Sequence, residues 1–363
     1  MTKFLALLAV GALLPVSAAA QNAGWKQSWE ETLAAAKQEG KVVISAPPSR
    51  ELRRVLPEAF KAKYGITVDY LGGRSTESAA RMRSERQAGI HSIDIVFAGI
   101  QSMALTFHRG GMLQPLKPAL QLPEVVDGSK WKKGKLWFAD PEEQYILRLA
   151  NSVTTMFHIN TTHVKPGEIR SVKDLLNPKW RGKIALQDPT IPGSGSNQAA
   201  HLYFQHGEDF IKALYIDQKP MISRDTRLIT DGLVRGVYPI TLGAEDADVA
   251  KMKKEGVPLE ILELSDLYPE ISASYGQVAI VDNAPHPNAA KVFVNWIASK
   301  EGNEVFNRAM GTASTRNDID ESHLPPEIIP KEGVQYFDTY DWEFTVTKKE
   351  KVRARMKELL AAQ

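Results

Sequence analysis

Apolar and polar positions change period along this chain in a repeating order. Trp29, Leu33 and Ala36 recur at helical spacing, Glu30 and Glu31 sit in a first turn, and Gly40 supplies a stop; this predicts a helix over 25–40. A short apolar run over 41–45 reads as a buried strand. Leu52, Val55, Leu56, Ala59 and Phe60 then restore the helical period over 50–64, and Gly65 ends it. Strands are predicted over 66–70 and 94–97, with a helix over 76–88 between them after the turn at Gly72 and Gly73. Strand, short loop and helix in repetition predict a mainly parallel sheet with helices on its faces. Ligands of such sheets sit beyond the carboxyl ends of the strands. The loops 46–50, 72–76 and 98–102 occupy that position.

The stretch 111–135 is less regular. Strands follow over 153–159 and 184–186, then a helix through Tyr203, a helix over 227–235 and a strand over 238–242. They predict a second α/β unit over 156–265. A strand over 275–281 and helices over 289–298 and 301–309 return to the first unit. The segment 311–346 is loop-rich, and 348–362 reads as a charged terminal helix. The expected division is therefore 21–155 with 266–310, then 156–265, and a C-terminal part over 311–363.

The first twenty residues read differently. Lys3 precedes an apolar run over 4–16, and Ser17-Ala18-Ala19-Ala20 follows, the pattern of a cleavable secretory signal peptide over 1–20. The run is shorter than the ~20 apolar residues of a spanning helix. Export to the periplasm is expected. The 363 residues contain no cysteine, which removes disulfides, thiolate metal sites and cysteine nucleophiles. Lys plus Arg number 45 and Asp plus Glu 43, a net charge of +2, without the basic excess of a nucleic-acid binder.

A series of phrases narrows the reading. Ala36-Lys37-Gln38-Glu39-Gly40-Lys41-Val42-Val43 and Phe60-Lys61-Ala62-Lys63-Tyr64-Gly65-Ile66-Thr67-Val68 come first. Trp180-Arg181-Gly182-Lys183-Ile184-Ala185 and Asp188-Pro189 follow. Asn283-Ala284-Pro285-His286-Pro287-Asn288-Ala289-Ala290-Lys291 and Trp296-Ile297-Ala298-Ser299-Lys300-Glu301-Gly302 lie near the end. In this order and spacing the chain resembles the periplasmic solute-binding proteins of ABC importers, in the branch that holds the ferric-iron binding proteins. The resemblance covers nearly the whole chain after residue 20. It implies an α/β fold of type II with two lobes, each a mainly parallel sheet flanked by helices, joined by crossing strands. The lobes close on a small solute in the cleft between them, and the closed form docks on an inner-membrane ABC permease. A monomer is expected.

Iron-binding members hold Fe(III) with a His after the first strand, a Glu after the third and a Tyr-Tyr pair in the second lobe, hard ligands suited to that ion. Those positions fall at Ser49, at Gly99 or Ile100, and at Asp246-Ala247, so the ligand set is missing. No metal and no cofactor are expected. Ferric iron or a ferric chelate is the second reading.

The residues themselves point to an anion. Pro192-Gly193-Ser194-Gly195-Ser196-Asn197 follows a strand and opens a helix; its amides and the hydroxyls of Ser194 and Ser196 suit a carboxylate or phosphoryl group, or serve as a plain cap. Arg74 in the second loop offers paired donors to an oxyanion, or is a solvated loop charge. Arg50 poses the same choice. Ser49, Ser75, Thr76 and the backbone at Gly99 share those loops. In the second unit Glu245, Asp246 and Asp248 offer carboxylates or simply open the next helix. Tyr203 and Tyr275 pack either on an organic solute or in the protein.

Catalytic motifs are wanting. No Gly-x-Ser-x-Gly elbow is formed in Gly193-Ser194-Gly195-Ser196, because the residue four after Gly193 is Asn197 and the register starting at Gly195 fails too. No His pair is spaced for a zincin. The expectation is a non-enzymatic binder of a small anion, with an exported enzyme on the same fold as the remote alternative.

Overall fold

The computed structural model describes residues 18–154, 156–244 and 246–362. Positions 1–17, most of the segment read as a signal peptide, lie outside the described residues. Helix α1 (Ala18–Glu39) begins seven residues before its predicted start at 25. The next five elements fall close to their predicted spans: β1 (Lys41–Ala46), α2 (Arg50–Tyr64), β2 (Thr67–Gly72), α3 (Ser75–Gln87) and β3 (Ile95–Phe97). Local chemistry sets such ends. Ser49 Oγ accepts from the Leu52 amide at 3.2 Å to start α2, and Gly65, at φ 73°, closes it in the left-handed region.

Strands β2, β1 and β3 run parallel, with Ile44 opposite both Tyr70 and Ile95. Helix α4 (Ile100–Ser102) runs on as a wider turn through His108. Strand β4 (Leu113–Gln114), helix α5 (Pro123–Val126) and strand β5 (Leu147–Arg148) complete the first pass through this lobe.

The strand expected over 153–159 is instead two strands in two sheets. β6 (Ser152–Thr154) stays between the lobes, while β7 (Phe157–Asn160) enters the second lobe. Both halves are rich in β-branched and apolar residues, so the period alone does not mark the crossing. Around β7 lie β8 (Ile184–Gln187), β9 (Met221–Ser223), β10 (Ile240–Leu242) and β11 (Leu259–Leu262), in the order β11-β7-β10-β8-β9. Helices α6 (Ser194–Lys212), α7 (Thr226–Val234) and α8 (Asp246–Lys254) follow β8, β9 and β10 in turn. α6 continues past its predicted end at Tyr203 and bends at Gly207, whose φ of 82° breaks the helical geometry.

The chain then returns. β12 (Glu270–Ser272) pairs with β6, and β13 (Gln277–Val281) lies antiparallel between β3 and β4. Helices α9 (Pro287–Ala298) and α10 (Lys300–Met310) pack in the first lobe. Strand β14 (Phe337–Asp338) adds to β12, and α11 (Lys349–Ala361) ends the described chain.

Each lobe has its own core. In the first, the Phe60 ring meets Phe293 at 5.1 Å and Trp296 at 5.3 Å, and Phe97 stacks on Phe306 at 5.4 Å. Burying each such ring contributes roughly 2–3 kcal/mol. In the second, Phe157, Leu186, Leu202 and Tyr215 cluster with Val352 and Met356 of α11, so the terminal helix completes this core. The α11 face that carries them packs on α6. Among the described residues no helix is long and apolar enough to cross a membrane.

Candidate functional site

Five strand-to-helix turns meet at one cleft of about 590 Å³. From the first lobe come Ser75, the opening residue of α3, and Gly99, Gln101 and Ser102 around the start of α4. From the second come Gly193, Ser194 and Asn197 at the start of α6, Thr226 at the start of α7, and Gly243 and Ala244 ahead of α8. Thr154 of β6 and Glu270 and Ser272 of β12 line it from the strands between the lobes, with Ser274 and Tyr275 just after. Tyr340 and Lys349 reach it from the C-terminal segment.

The turns are held by short bonds. Ser75 Oγ accepts from the Gly99 amide at 3.2 Å, tying the α3 start to the α4 start. Ser194 Oγ donates to Gln187 Oε1 at 2.6 Å. Gly195 is buried, and a Cβ there would stand 2.5 Å from the Asp188 carbonyl oxygen, so only glycine lets α6 begin this close to the end of β8. Asp188 in turn accepts from the Thr190 amide at 2.8 Å and from Arg224 Nε at 2.8 Å.

Electrostatically the lining is mostly neutral. Glu270 is 6% exposed; one carboxylate oxygen accepts from Thr339 Oγ1 at 3.0 Å, and the other stands 3.7 Å from His201 Nδ1. Tyr340 donates its hydroxyl to the Ser274 carbonyl at 2.8 Å, and burial pushes its phenol up to about 12. Lys349 is 1% exposed and, among the described residues, its ammonium has neither a hydrogen bond nor an ion pair within 4.0 Å.

Of the residues expected from sequence, Ser75, Gly99, Ser194 and Tyr275 line the cleft. The others are placed elsewhere. Ser49 caps α2, and Arg50 is exposed in its first turn. Arg74 is the exposed N-cap of α3, its amide donating to Glu77 Oε2 at 3.1 Å. Thr76 is exposed on the other side of Ser75. Successive helical positions point about 100° apart, so Ser75 faces the cleft and its two neighbours do not. Ser196 turns back to its own helix start, donating to the Gly193 carbonyl at 2.9 Å, and Gly195 serves the close packing just described. Glu245 lies outside the described residues; Asp246 opens α8 and Asp248 is exposed on it. Tyr203 is partly buried against the second core.

Sequence reasoning missed Thr154, Thr226, Glu270, Ser272, Tyr340 and Lys349. Thr226 had a signal, the helix cap Asp225 whose carboxylate accepts from the Arg227 amide at 2.9 Å. The rest are brought in by strands and a terminal helix distant in sequence, and no local pattern marks them.

The carboxylate and phenol oxygens that the described residues bring to the cleft are those of Glu270, Tyr275 and Tyr340, with Glu270 held by Thr339 and the Tyr340 hydroxyl by the Ser274 carbonyl. The one metal-like cluster among the described residues, His108, Asp140 and Glu142, lies away from the cleft, and Asp140 there already accepts from the amides of Gln144, Tyr145 and Ile146.

The profile of the family "bacterial extracellular solute-binding protein" matches residues 56–331. An uncharacterized protein of Haemophilus influenzae is 26% identical over 286 residues, spanning 74% of this chain and 76% of that protein. Several solved structures share the fold. The periplasmic binding protein AfuA from Actinobacillus pleuropneumoniae, with fructose-6-phosphate bound, superposes with a TM-score of 0.64 at 19% identity, over 89% of this chain and 99% of that one. The Trichodesmium protein IdiA (FutA), in complex with iron and citrate, gives 0.66 at 17% identity, over 88% and 99%. Iron-bound HitA from Pseudomonas aeruginosa gives 0.61 at 15% identity, over 87% and 99%. The shared architecture is the two-lobed, type II binding-protein fold.

Proposed function

The chain belongs to the bacterial extracellular solute-binding proteins, and from that premise we propose that it captures a small organic anion, a carboxylate or a phosphate ester, in the periplasm and hands it to an inner-membrane ABC permease. The observation that carries this reading is the meeting of helix starts from both lobes at one cleft, at α3 and α4 on one side and α6 and α7 on the other. The positive end of the helix dipole favours negative charge at such places; at α7 the Asp225 carboxylate already accepts from the Arg227 and Leu228 amides, so that helix offers the Thr226 hydroxyl instead. The hydroxyls of Ser75, Ser102, Ser194, Thr226 and Ser272 add neutral donors and acceptors, which suits a solute that carries hydroxyl groups of its own.

Capture works by closure. A solute that touches Ser75 and Gly99 on one lobe and Ser194 and Thr226 on the other stabilises the closed arrangement through contacts the open one lacks. The protein acts as a monomer and releases the solute unchanged.

Ferric iron is the second reading, favoured by two phenols, Tyr275 and Tyr340, and one carboxylate, Glu270, on the same cleft. The two readings separate in one screen. Thermal unfolding is followed with fructose 6-phosphate, glucose 6-phosphate, inorganic phosphate, citrate, ferric citrate, ferric chloride and glucose. A ligand at a hundred times its Kd stabilises the folded form by about 2.7 kcal/mol. The anion reading expects a raised Tm with an iron-free anion and a colourless protein. A Tm raised only by iron, with a tyrosinate absorption band, would replace it with the second reading.

A further inference from the structure

The C-terminal segment lies mostly beyond residue 331, where the family match ends, yet it supplies two cleft residues. It is anchored at both ends. At its start, both oxygens of Asp338 accept from Arg148 Nη1, at 3.0 and 2.9 Å, Thr339 donates to Glu270, and Tyr340 donates to the Ser274 carbonyl. At its end, α11 packs on α6 and buries Val352 and Met356. Between these anchors it also touches the first lobe. The His108 and Trp342 rings meet edge to face at 5.0 Å, and Gln101 Nε2 donates to Glu350 Oε1 at 3.1 Å. Lys349, the residue before Glu350, is the only cationic side chain among the described residues lining the cleft.

An ammonium removed from water with no partner within hydrogen-bond reach is costly, and a protein retains one where something else supplies the opposite charge. The candidates among the described residues do not supply it. Glu270, on β12, is committed to Thr339 and His201. Glu350 and Arg353, on Lys349's own helix, are paired with each other. We propose that Lys349 is the counter-charge for the anionic group of the solute, which makes the C-terminal segment the part of the chain that selects a charged solute over a neutral one. The inference rests on the anionic-solute reading above and deepens it. The lysine sits next to the Gln101–Glu350 contact between the lobes, so pairing it with a solute also favours closure.

A consequence is a dependence on pH. Burial, only partly offset by Glu350 and Glu270, lowers the Lys349 ammonium to about 8. The cation is therefore present at neutral pH and lost in mild alkali, where few carboxylates or phosphate esters change charge.

The test is calorimetric titration of wild type, Lys349→Gln and Lys349→Arg with inorganic phosphate, glucose 6-phosphate, citrate and glucose, at about pH 7 and about pH 9. For the anion that binds wild type, affinity should fall about ten-fold at the higher pH, following loss of the ammonium. Lys349→Gln should weaken it roughly thirty-fold at the lower pH and abolish the pH dependence, the size of a lost charge-assisted bond. Lys349→Arg should keep the affinity at both pH values. Equal binding of an anion by wild type and Lys349→Gln would overturn the role of the lysine while leaving the anion reading intact. If none of the three anions binds wild type, the anion reading and this inference both fall. Should Lys349→Gln not fold, the wild-type titrations decide alone: a flat affinity between the two pH values overturns the proposal.

Discussion

At the scale of single residues, Lys349 in the cleft and Gly195 behind it carry opposite consequences for stability. Lys349 has an ordinary pKa of 10.5 and one of about 8 in the fold. Between those values the unfolded chain binds more protons than the folded one, so stability from this group rises as pH climbs from about 8 toward 10.5 and is lowest below about 8. Lys349→Met should therefore stabilise the solute-free protein at neutral pH, by roughly 2–3 kcal/mol. Denaturant unfolding at about pH 7 and about pH 10 checks it; the gain should shrink at the higher pH. Gly195 makes the opposite prediction. Gly195→Ala forces a Cβ against a backbone carbonyl and should cost about 1–3 kcal/mol, visible as a lower Tm without solute. Neither effect follows from residue type alone, since a lysine in a charged terminal helix and a glycine in a Gly-Ser turn are ordinary surface choices.

Elements were legible in proportion to how local their determinants are. β1, α2, β2, α3 and β3 carry apolar periodicity, caps and glycine stops within their own few residues, and they lie within a residue or two of where the pattern puts them. The stretch over 153–159 is one apolar run in sequence but two strands in the fold, because its halves pair with different partners, β12 for one and β10 and β11 for the other. The cleft follows the same rule. Ser75, Gly99 and Ser194 sit at strand-to-helix turns, where chain order alone places a ligand. Glu270, Tyr340 and Lys349 arrive by crossings that no window of sequence contains. The start of the C-terminal segment is tied to a buried cation, Arg148, which is 1% exposed. Asp338→Ala would remove the carboxylate that pairs with that guanidinium, leaving hydrogen bonds to Asn151 and a carbonyl and the faces of Trp137 and Tyr340, and should cost about 2–4 kcal/mol. Limited proteolysis should then cut within 324–345 much faster than in wild type.

At the scale of the molecule, the two lobes have separate cores, and the strands between them are few: β6, β12 and β14 form the sheet they share. Few connections and a polar cleft are what a closing device requires, since the open and closed forms then differ by little besides the solute's own contacts. Solution scattering should show the radius of gyration falling when the stabilising anion is added. The near-neutral net charge of +2 is consistent with the proposed anionic solute, whose charge would be met at the helix starts and at Lys349 and not by the field of the whole surface.

The most direct test is whether one solute touches both lobes at the turns described. The anion that most raises the Tm is titrated by calorimetry into wild type, Ser75→Ala, Thr226→Ala and Arg74→Ala. Affinity should fall about five- to ten-fold for Ser75→Ala and for Thr226→Ala, one hydrogen bond each from opposite lobes. Arg74→Ala, one residue from Ser75 but outside the cleft lining, should bind as wild type. A loss confined to Arg74→Ala, with Ser75→Ala and Thr226→Ala binding as wild type, would contradict a solute held by both lobes at these turns.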